Sequence, residues 1–381
     1  MRNEERGSIY WNERTRQLKP YIPGEQPRDR KFIKLNTNEN PYPPSPLVID
    51  AIQKAAGEPL RLYPDPSCAN FREAAAARYG IKAAQVFAGN GSDEVLAFAF
   101  AAFFGRHGAS LGERHTVPDE ETLLFPDITY SFYPVYADLW DIPYRAVPLR
   151  DDFSMDIKPY LDGTGGIIFP NPNAPTGMAV SLEELKGIAC AAKRNGRVLV
   201  VDEAYIAFAE GKGITSAITL ISEFPNLLIV RTLSKEASLA GLRFGFAMGA
   251  EELIEGLCRI RDSFNSYTVD RLALAGAAAA LADASYYGEI NSRIIATRRR
   301  VSSGLETLGF TVLPSQANFV FAAPPAGCGK SRPDFFAALR ERGILVRRFD
   351  KPRIANYLRI SIGADNDMNV FLDACKEIVE H

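Results

Sequence analysis

The chain has 381 residues, of which 46% are hydrophobic and 24% are charged, and this balance excludes general disorder and fibrous classes. Its 44 Lys and Arg residues nearly equal its 46 Asp and Glu residues, so charge gives no reason to expect nucleic acid or an anionic membrane as a partner. The longest apolar runs, at 95–105 and 272–282, are too short to span a bilayer, and the charged N-terminus shows no secretory signal. We therefore expect a cytoplasmic protein of enzyme size.

Cysteine and histidine usage narrows the possible chemistry. The cysteines are odd in number and far apart, which indicates reduced thiols rather than a disulfide framework or a zinc cluster. They are Cys68, Cys190, Cys258, Cys328 and Cys375. The histidines are His107, His115 and His381. The first two lie in the hydrophilic stretch 105–121, which we expect to be a surface excursion without a metal site.

The first 46 residues are polar and rich in proline, which forbids a long helix and predicts an arm that wraps on a surface. Two helices are predicted next, at 47–56 and at 69–80, and Gly80 ends the second. A glycine-rich loop, AGNGSDE, then leads into the apolar helix VLAFAFAAFF.

Short apolar runs alternate with helical patterns from about residue 122 to residue 249. The predicted strands are TLLFPD, GGIIFPNP, RVLVVDEAY, LLIVRTLS and GFAMG, and the helices between them are SFYPVYADLW and SLEELKGIACAAKRNG. This alternation predicts a wound α/β layer around a largely parallel sheet. A helical region at about 251–308 follows, and the remaining sequence predicts a compact α+β unit.

The ends of the predicted strands carry the most reactive side chains, and ligands of open α/β sheets bind at the carboxyl ends of strands. Asp202 ends one apolar strand, where a carboxylate is costly unless it meets a cation or a donor; alone, it could also cap the next turn. Ser234 and Lys235 follow another apolar strand, and Arg243 comes shortly after them. Burial lowers the pKa of a lysine, and a neutral amine is what Schiff-base chemistry requires, although an isolated lysine of this kind is more often solvated.

Two loops complete the pattern. In IIFPNPNAPTG, two prolines and a glycine fix a sharp turn at a sheet edge. In AGNGSDEVL, a glycine-rich segment opens a helix, whose free N–H groups and Ser92 would attract phosphate, although this loop alone could be an ordinary turn. Together, the strand ends and loops supply a phosphate cradle, a buried acid, a buried amine and an arginine. These groups are suited to bind a cofactor that carries an aldehyde, a basic ring nitrogen and a phosphate.

The segments NPNAPTG, VDEAY and RTLSKEASLAGLRFG, preceded by LNTNENPYPPSP and GNGSDE, resemble those of the fold-type-I pyridoxal-5′-phosphate aminotransferases, and most of all the histidinol-phosphate aminotransferases. The resemblance runs from about residue 21 to the end of the chain. It implies a mainly parallel seven-stranded sheet in a large cofactor-binding domain at 47–275 and a smaller α+β domain at 276–381. The arm at 1–46 would pack with the small domain and the active site.

The resemblance also implies roles for the residues around the cofactor. Lys235 would bond to the cofactor aldehyde and then move the proton of the reaction, Asp202 would pair with the ring nitrogen, and Tyr205 would hydrogen-bond the ring oxygen. Tyr130 would stack on the ring. The phosphate would be held by Ser92, Asp93 and Glu94 at a helix start, by Thr232, Ser234 and Arg243, and by Tyr63 of the second subunit of a homodimer.

One position departs from the family pattern. The family usually has Asn directly before PTG, in contact with the ring oxygen, whereas this chain has Ala174 there. Asn173, one residue earlier, is a candidate replacement.

On the substrate side, the resemblance implies that Arg359 binds an α-carboxylate, and that Arg347 and Tyr21 bind a phosphoester; each arginine alone could equally be an ordinary surface residue. Asn38 would enter the site from the arm. The implied reaction is transamination between histidinol phosphate and 2-oxoglutarate, giving imidazole-acetol phosphate and glutamate, in histidine biosynthesis.

Three alternatives remain open from the sequence. The first is an aromatic-amino-acid aminotransferase and the second a threonine-phosphate decarboxylase, both of the same superfamily, and the two arginines do not separate these firmly. The third is a cofactor-binding regulator without turnover, but the arm of 46 residues is short and weakly basic for a DNA-binding segment.

Overall fold

The computed structural model describes residues 8–21, 24, 25, 27, 30–105, 122–211, 213–325 and 332–380, with only the backbone of 332–334. The predictions for 106–121, with His107 and His115, and for Cys328 and His381 lie outside these residues. The other cysteines, Cys68, Cys190, Cys258 and Cys375, are free thiols, as predicted.

The described chain alternates helices and strands through most of its length. The helices are α1 (Glu13–Gln17), α2 (Pro46–Ala55), α3 (Ala69–Tyr79), α4 (Gly91–Phe103), α5 (Phe132–Trp140), α6 (Lys158–Asp162), α7 (Leu182–Arg194), α8 (Leu233–Glu236), α9 (Glu251–Phe264), α10 (Arg271–Ala282), α11 (Ala284–Thr307), α12 (Arg332–Glu341) and α13 (Asp365–Glu380). The strands are β1 (Ile33–Leu35), β2 (Val86–Gly89), β3 (Leu123–Pro126), β4 (Tyr144–Val147), β5 (Ile167–Pro170), β6 (Leu199–Asp202), β7 (Leu227–Thr232), β8 (Gly245–Gly249), β9 (Thr311–Val312), β10 (Phe319–Ala323), β11 (Ile344–Arg348) and β12 (Leu358–Ser361).

The larger sheet has seven strands in the order β2-β8-β7-β6-β5-β3-β4. Pairing is parallel from β7 through β6, β5 and β3 to β4, while β8 runs antiparallel to both β2 and β7. The strands β5, β6 and β7 are buried along their whole length, which is why their sequences are continuous apolar runs. The prediction of a mainly parallel seven-stranded sheet is confirmed.

The smaller sheet has five strands in the order β1-β11-β12-β10-β9. Its first strand belongs to the N-terminal arm, because β1 pairs in parallel with β11, Lys34 facing Leu345. The arm is therefore built into the sheet of the C-terminal unit.

The boundary predicted at residue 275 would cut through α10. The buried residues Ala277 and Ala280 of that helix belong to the same apolar core as the large sheet, and this core continues to Ile290 in α11. From Ile294 onward, the buried face of α11 packs into the core of the small sheet. The change of core therefore lies within α11 rather than at 275.

Local sequence signals explain several helix ends. Ser181 and Glu184 form a reciprocal capping box at the start of α7, and Asp270 accepts two backbone N–H bonds at the start of α10. Gly80 ends α3 in the left-handed conformation, with a φ of +69°. The predicted helices at 47–56 and 69–80 correspond to α2 and α3.

Candidate active site

The carboxyl ends of β5, β6 and β7 open onto a cavity of about 280 Å³. The parallel pairing of these strands places their ends at one edge of the sheet, next to the start of α4. Nine of the predicted cofactor residues line this cavity: Ser92, Asp93, Tyr130, Asp202, Tyr205, Thr232, Ser234, Lys235 and Arg243. Residues separated by up to 151 positions in the chain are thus brought together, as the strand-end argument predicts.

Lys235 lies directly beyond β7, in the short helix α8. Thr232 caps this helix by accepting the backbone N–H of Ser234, and this turn directs Lys235 to the cavity. The ammonium Nζ donates to the carbonyl oxygen of Thr37 at 3.1 Å. Burial, assisted by the charge of Arg359, lowers the pKa of Lys235 to about 8. Burial therefore makes the neutral form of this amine much more accessible than that of a solvated lysine.

Asp202 is a buried carboxylate at the end of β6. Its Oδ2 accepts the hydroxyl of Tyr133 at 3.2 Å, and its Oδ1 accepts the backbone N–H of Ala204 at 3.1 Å. Burial raises the pKa of Asp202 to about 7, against the effect of these two bonds. A cation placed beside this carboxylate would relieve that cost.

Tyr133 is a contact that the sequence reasoning missed. It lies in the first turn of α5, three residues after Tyr130, and is fully buried. Tyr130 lies just before the first residue of α5, and the two rings meet edge-on with 5.7 Å between centroids. The close spacing of the two tyrosines in DITYSFY was the available signal.

The start of α4 forms one wall of the cavity. Gly91 has a φ of +79°, and a Cβ there would come within 2.7 Å of the Arg243 guanidinium, so the glycine keeps this corner open. Gly245 in β8 permits a second close approach, because a Cβ would lie 2.2 Å from the backbone nitrogen of Ser92. Exposed N–H groups and a nearby guanidinium make this corner suitable for a phosphate.

Asp93 organises this corner through its side chain. Its Oδ2 accepts from Arg243 at 2.9 Å, and its Oδ1 accepts from the Tyr130 hydroxyl at 2.6 Å. The carboxylate therefore fixes two predicted cofactor residues, and only the backbone of Asp93 is suited to meet an anion directly.

Three predicted cofactor contacts do not line the cavity: Glu94, Asn173 and Tyr63. The carboxylate of Glu94 accepts the backbone N–H of Asn90 at 2.7 Å, because the first turn of the helix leaves that donor free. The amide of Asn173 donates to Ile128 O and Thr176 Oγ1. The position facing the cavity belongs to Ala174, so Asn173 does not replace the amide that the family usually has there.

Asn38 also departs from its predicted role. Its side chain is 1% exposed and does not line the cavity. Its Nδ2 donates to the Tyr205 hydroxyl at 3.0 Å, and its Oδ1 accepts from Ser361 at 2.9 Å. Asn38 thus touches Tyr205 rather than the space available to a substrate.

Arg347 and Arg359 face each other across the antiparallel strands β11 and β12. Arg359 donates to Asn36 O at 3.0 Å, while its Nε is buried without a partner among the described residues. Burial, together with the charge of Arg347, lowers the pKa of Arg359. An unpartnered buried donor beside a second arginine makes an attractive place for an anion.

Two predicted aromatic residues lie outside the cavity walls. Tyr21 packs its ring on Phe132, with 4.3 Å between ring centroids. Tyr63 is 77% exposed and stacks on Tyr267, so it does not contribute to the cavity of its own chain.

The site combines a lysine of lowered pKa with a buried carboxylate, both at the carboxyl ends of parallel strands. This combination is typical of an α/β enzyme whose reactive group is an amine. The chain belongs to the aminotransferase class I and II family, whose model matches residues 30–378. The class of enzyme predicted from the sequence is thereby confirmed.

Relatives of known name match nearly the whole chain. A histidinol-phosphate aminotransferase of Clostridium acetobutylicum is 51% identical over 372 residues, spanning 98% of this chain and 99% of that protein. One of Clostridium beijerinckii is 47% identical over 374 residues and covers 98% of both chains.

Solved structures support the fold. The histidinol-phosphate aminotransferase from Sinorhizobium meliloti, in complex with pyridoxal-5′-phosphate, superposes with a TM-score of 0.81 at 24% identity, over 98% of each chain. Among the described residues, no helix has the length and apolar character needed to cross a membrane.

Proposed function

We propose that this chain uses pyridoxal 5′-phosphate to exchange an amino group between histidinol phosphate and 2-oxoglutarate, a step of histidine biosynthesis. The observation that carries the proposal is Lys235, a buried amine whose pKa falls to about 8, in one cavity with the buried acid Asp202. Near-full-length relatives that carry the name of this activity supply the substrate.

The residues present suit the cofactor. Asp202 has no cationic partner among the described residues, and its raised pKa indicates that it lacks one, so it would hold a protonated ring nitrogen. Ser92, Ser234 and Arg243 would bind the phosphate, with Thr232 orienting Ser234 through the bond between their hydroxyls at 2.9 Å. Tyr130 would cover the ring and Tyr205 would donate to its oxygen. When bound, the cofactor supplies an aldehyde and an electron-accepting ring.

Lys235 then carries the proton chemistry. In the cofactor-free chain, its amine donates to Thr37 O and its neutral form is accessible because of burial. With the cofactor bound, the neutral Nζ of Lys235 would be able to bond to the aldehyde carbon with release of water, and when free again it would accept a proton and return it. The carboxylate of Asp202 would stay beside the protonated ring nitrogen throughout the reaction.

The two arginines would select substrates with anionic groups. Arg359 would take a carboxylate through its unpartnered Nε side, and Arg347 would take the phosphoester. Tyr21 would close over the phosphoester from the arm. These assignments explain how one site accepts glutamate in one half-reaction and a phosphorylated amino alcohol in the other.

A homodimer is part of the proposal. Tyr63 is exposed beside the exposed apolar residues Leu60 and Leu62, which is costly in a monomer and favourable at an interface. In the dimer, Tyr63 would reach the phosphate of the neighbouring site. A cytoplasmic location also remains a prediction.

The substrate test compares amino donors with the purified, cofactor-loaded protein. With 2-oxoglutarate as acceptor, histidinol phosphate should give the highest kcat/KM and produce glutamate with ping-pong kinetics. Preferred turnover of phenylalanine, or carbon dioxide release from threonine phosphate, would instead establish one of the alternative activities. Replacing Arg347 with Met should raise the KM for histidinol phosphate much more than that for 2-oxoglutarate.

A further inference from the structure

We propose that Asn38 and Ser361 are positioning residues that direct the hydroxyl proton of Tyr205 into the cavity. The proposal rests on the proposed function, because it concerns the donor that would face the cofactor's ring oxygen. Neither residue touches the cavity itself, so both would act through Tyr205.

The hydrogen bonds between Ser361 and Asn38 are reciprocal. Ser361 Oγ accepts the backbone N–H of Asn38 at 2.8 Å and donates its own proton to Asn38 Oδ1 at 2.9 Å. A serine hydroxyl has only one proton. In this structure that proton is given to the amide oxygen of Asn38, which faces Ser361, and the NH₂ group of Asn38 faces Tyr205.

This orientation determines what Tyr205 can do. The Tyr205 oxygen accepts from Asn38 Nδ2 at 3.0 Å, and among the described residues none accepts a hydrogen bond from it. The ring is held edge-on against Phe319, at 5.1 Å between centroids. With one side occupied by a donor, the phenol proton is left for an acceptor in the cavity that Tyr205 lines.

The backbone around Asn38 makes this arrangement rigid. Asn38 has a φ of +54°, which Asn tolerates better than most residues, and its carbonyl accepts from the fully buried Asn318 at 3.1 Å. The preceding residue, Thr37, accepts from Lys235. One short segment of the arm thus contacts both the lysine and the partner of the ring oxygen.

The test is an absorbance titration of the lysine-bound cofactor. Removing a donor to the ring oxygen makes that oxygen more basic, so the proton shared with the Lys235 nitrogen leaves at higher pH. Tyr205→Phe should raise the titration midpoint by about one unit. Asn38→Gly, which suits the positive φ, and Ser361→Ala should each raise it by about half a unit. The dissociation constant for pyridoxal 5′-phosphate should rise in all three variants.

A double-mutant cycle separates positioning from a merely structural effect. In the Tyr205→Phe background, Asn38→Gly should cause no further shift, because the group it acts through is gone. Ser45→Ala serves as the control: it removes an equally buried serine hydroxyl, which donates to Asp283 and accepts the backbone N–H of Leu47, and should leave the midpoint unchanged.

Other results would contradict either the positioning role of Asn38 and Ser361 or the role of Tyr205. An equal shift by Asn38→Gly with and without the Tyr205 hydroxyl would overturn the positioning role, as would a Tyr205→Phe shift that neither Asn38→Gly nor Ser361→Ala reproduces. If Tyr205→Phe leaves the midpoint unchanged, then Tyr205 does not contact the ring oxygen. That result would remove the role of Tyr205 from the proposed function as well.

Discussion

Two clusters of charged residues lie near the ends of β6 and β7. The charges of one cluster are not paired with each other, and those of the other are. One contains Asp202 and Lys235, which line the candidate site. The other, formed by the next residues along the chain, Glu203 and Glu236, surrounds Arg231. Successive residues of an extended strand point to opposite faces of the sheet, which separates Asp202, the last residue of β6, from Glu203. Lys235 and Glu236 are successive residues of the helix α8.

The Arg231 cluster is internally compensated. Arg231 lies 3.3 Å from Glu236 and 3.8 Å from Glu203, and it donates to the Tyr79 hydroxyl. Burial alone would lower the pKa of Arg231, but Glu236, Tyr79 and Glu203 together raise it. The same burial raises the pKa of Glu203, against the opposing effects of Arg231 and of hydrogen bonds from Ser216 and Ala217.

The cavity cluster lacks this compensation. Among the residues that the structure describes, Asp202 accepts from neutral donors only, and Lys235 donates to a carbonyl oxygen. Their pKa values move toward each other, to about 7 and about 8. Buried charges without partners cost stability, and such cost is tolerated where a ligand or a reaction requires it. We therefore expect the Arg231 cluster to be structural, and the cluster of Asp202 and Lys235 to be the functional one.

The largest expected effect is the loss of activity in Lys235→Ala. Removing the amine should lower kcat by about 10⁴-fold, because the covalent link and the proton carrier disappear together. Thermal stability of the cofactor-free protein should not fall, since an uncompensated buried ammonium is lost. Lys235→Arg is the matched control that retains the charge; retained turnover in either variant would rule out the lysine's role.

The pH dependence of stability should isolate Asp202. Its pKa rises from 3.8 to about 7 on folding, so the folded chain binds more protons than the unfolded chain between these values, and stability falls as the pH rises through this window. In the cofactor-free protein, the free energy of unfolding should fall by at most about 4 kcal/mol between pH 4 and pH 8 because of Asp202, and Asp202→Asn should abolish this fall. Denaturant unfolding at several pH values measures this, and an unchanged pH dependence in the variant would contradict the uncompensated state of Asp202.

Arg231→Met should show the reverse behaviour. It leaves the buried Glu203 and the half-buried Glu236 without their cation, so the free energy of unfolding should fall by about 3 kcal/mol. The kcat of the folded, cofactor-loaded enzyme should stay within about twofold, because Arg231 does not line the cavity. Adding Glu203→Gln to Arg231→Met should restore part of the stability. A large loss of kcat without a loss of stability would place Arg231 in the functional cluster.

Strand-end chemistry was predictable because parallel strands must end at one edge. Asp202, Lys235 and Arg243 could be placed together from apolar runs alone, without knowledge of the connections between them. The strands β2 and β4 were missed: β2 runs into the glycine-rich loop without a break, and the residues of β4 are mostly exposed, with no apolar run to mark them.

Side-chain direction was much less predictable than backbone position. Glu94 and Asn173 occupy the expected segments, yet local backbone donors and acceptors capture their side chains. Asn38 points to Tyr205 because Ser361, far away in the sequence, holds its amide. Such choices depend on partners from other elements, which no local pattern contains.

The smallest expected effects come from a matched pair of tyrosine variants, one in each cluster. Tyr133→Phe removes the hydroxyl that donates to Asp202, and Tyr79→Phe removes the hydroxyl that accepts from Arg231. Each change deletes one buried hydrogen bond worth about 1 kcal/mol.

The two variants should differ in what that loss affects. The Tyr133 hydroxyl lowers the pKa of Asp202, so Tyr133→Phe should weaken cofactor binding and lower kcat/KM about fivefold. Tyr79→Phe should lower the free energy of unfolding by about 1 kcal/mol and leave kcat/KM unchanged. If both variants changed kcat/KM equally, the two clusters would act as one network, and the compensated cluster would share in catalysis across the sheet.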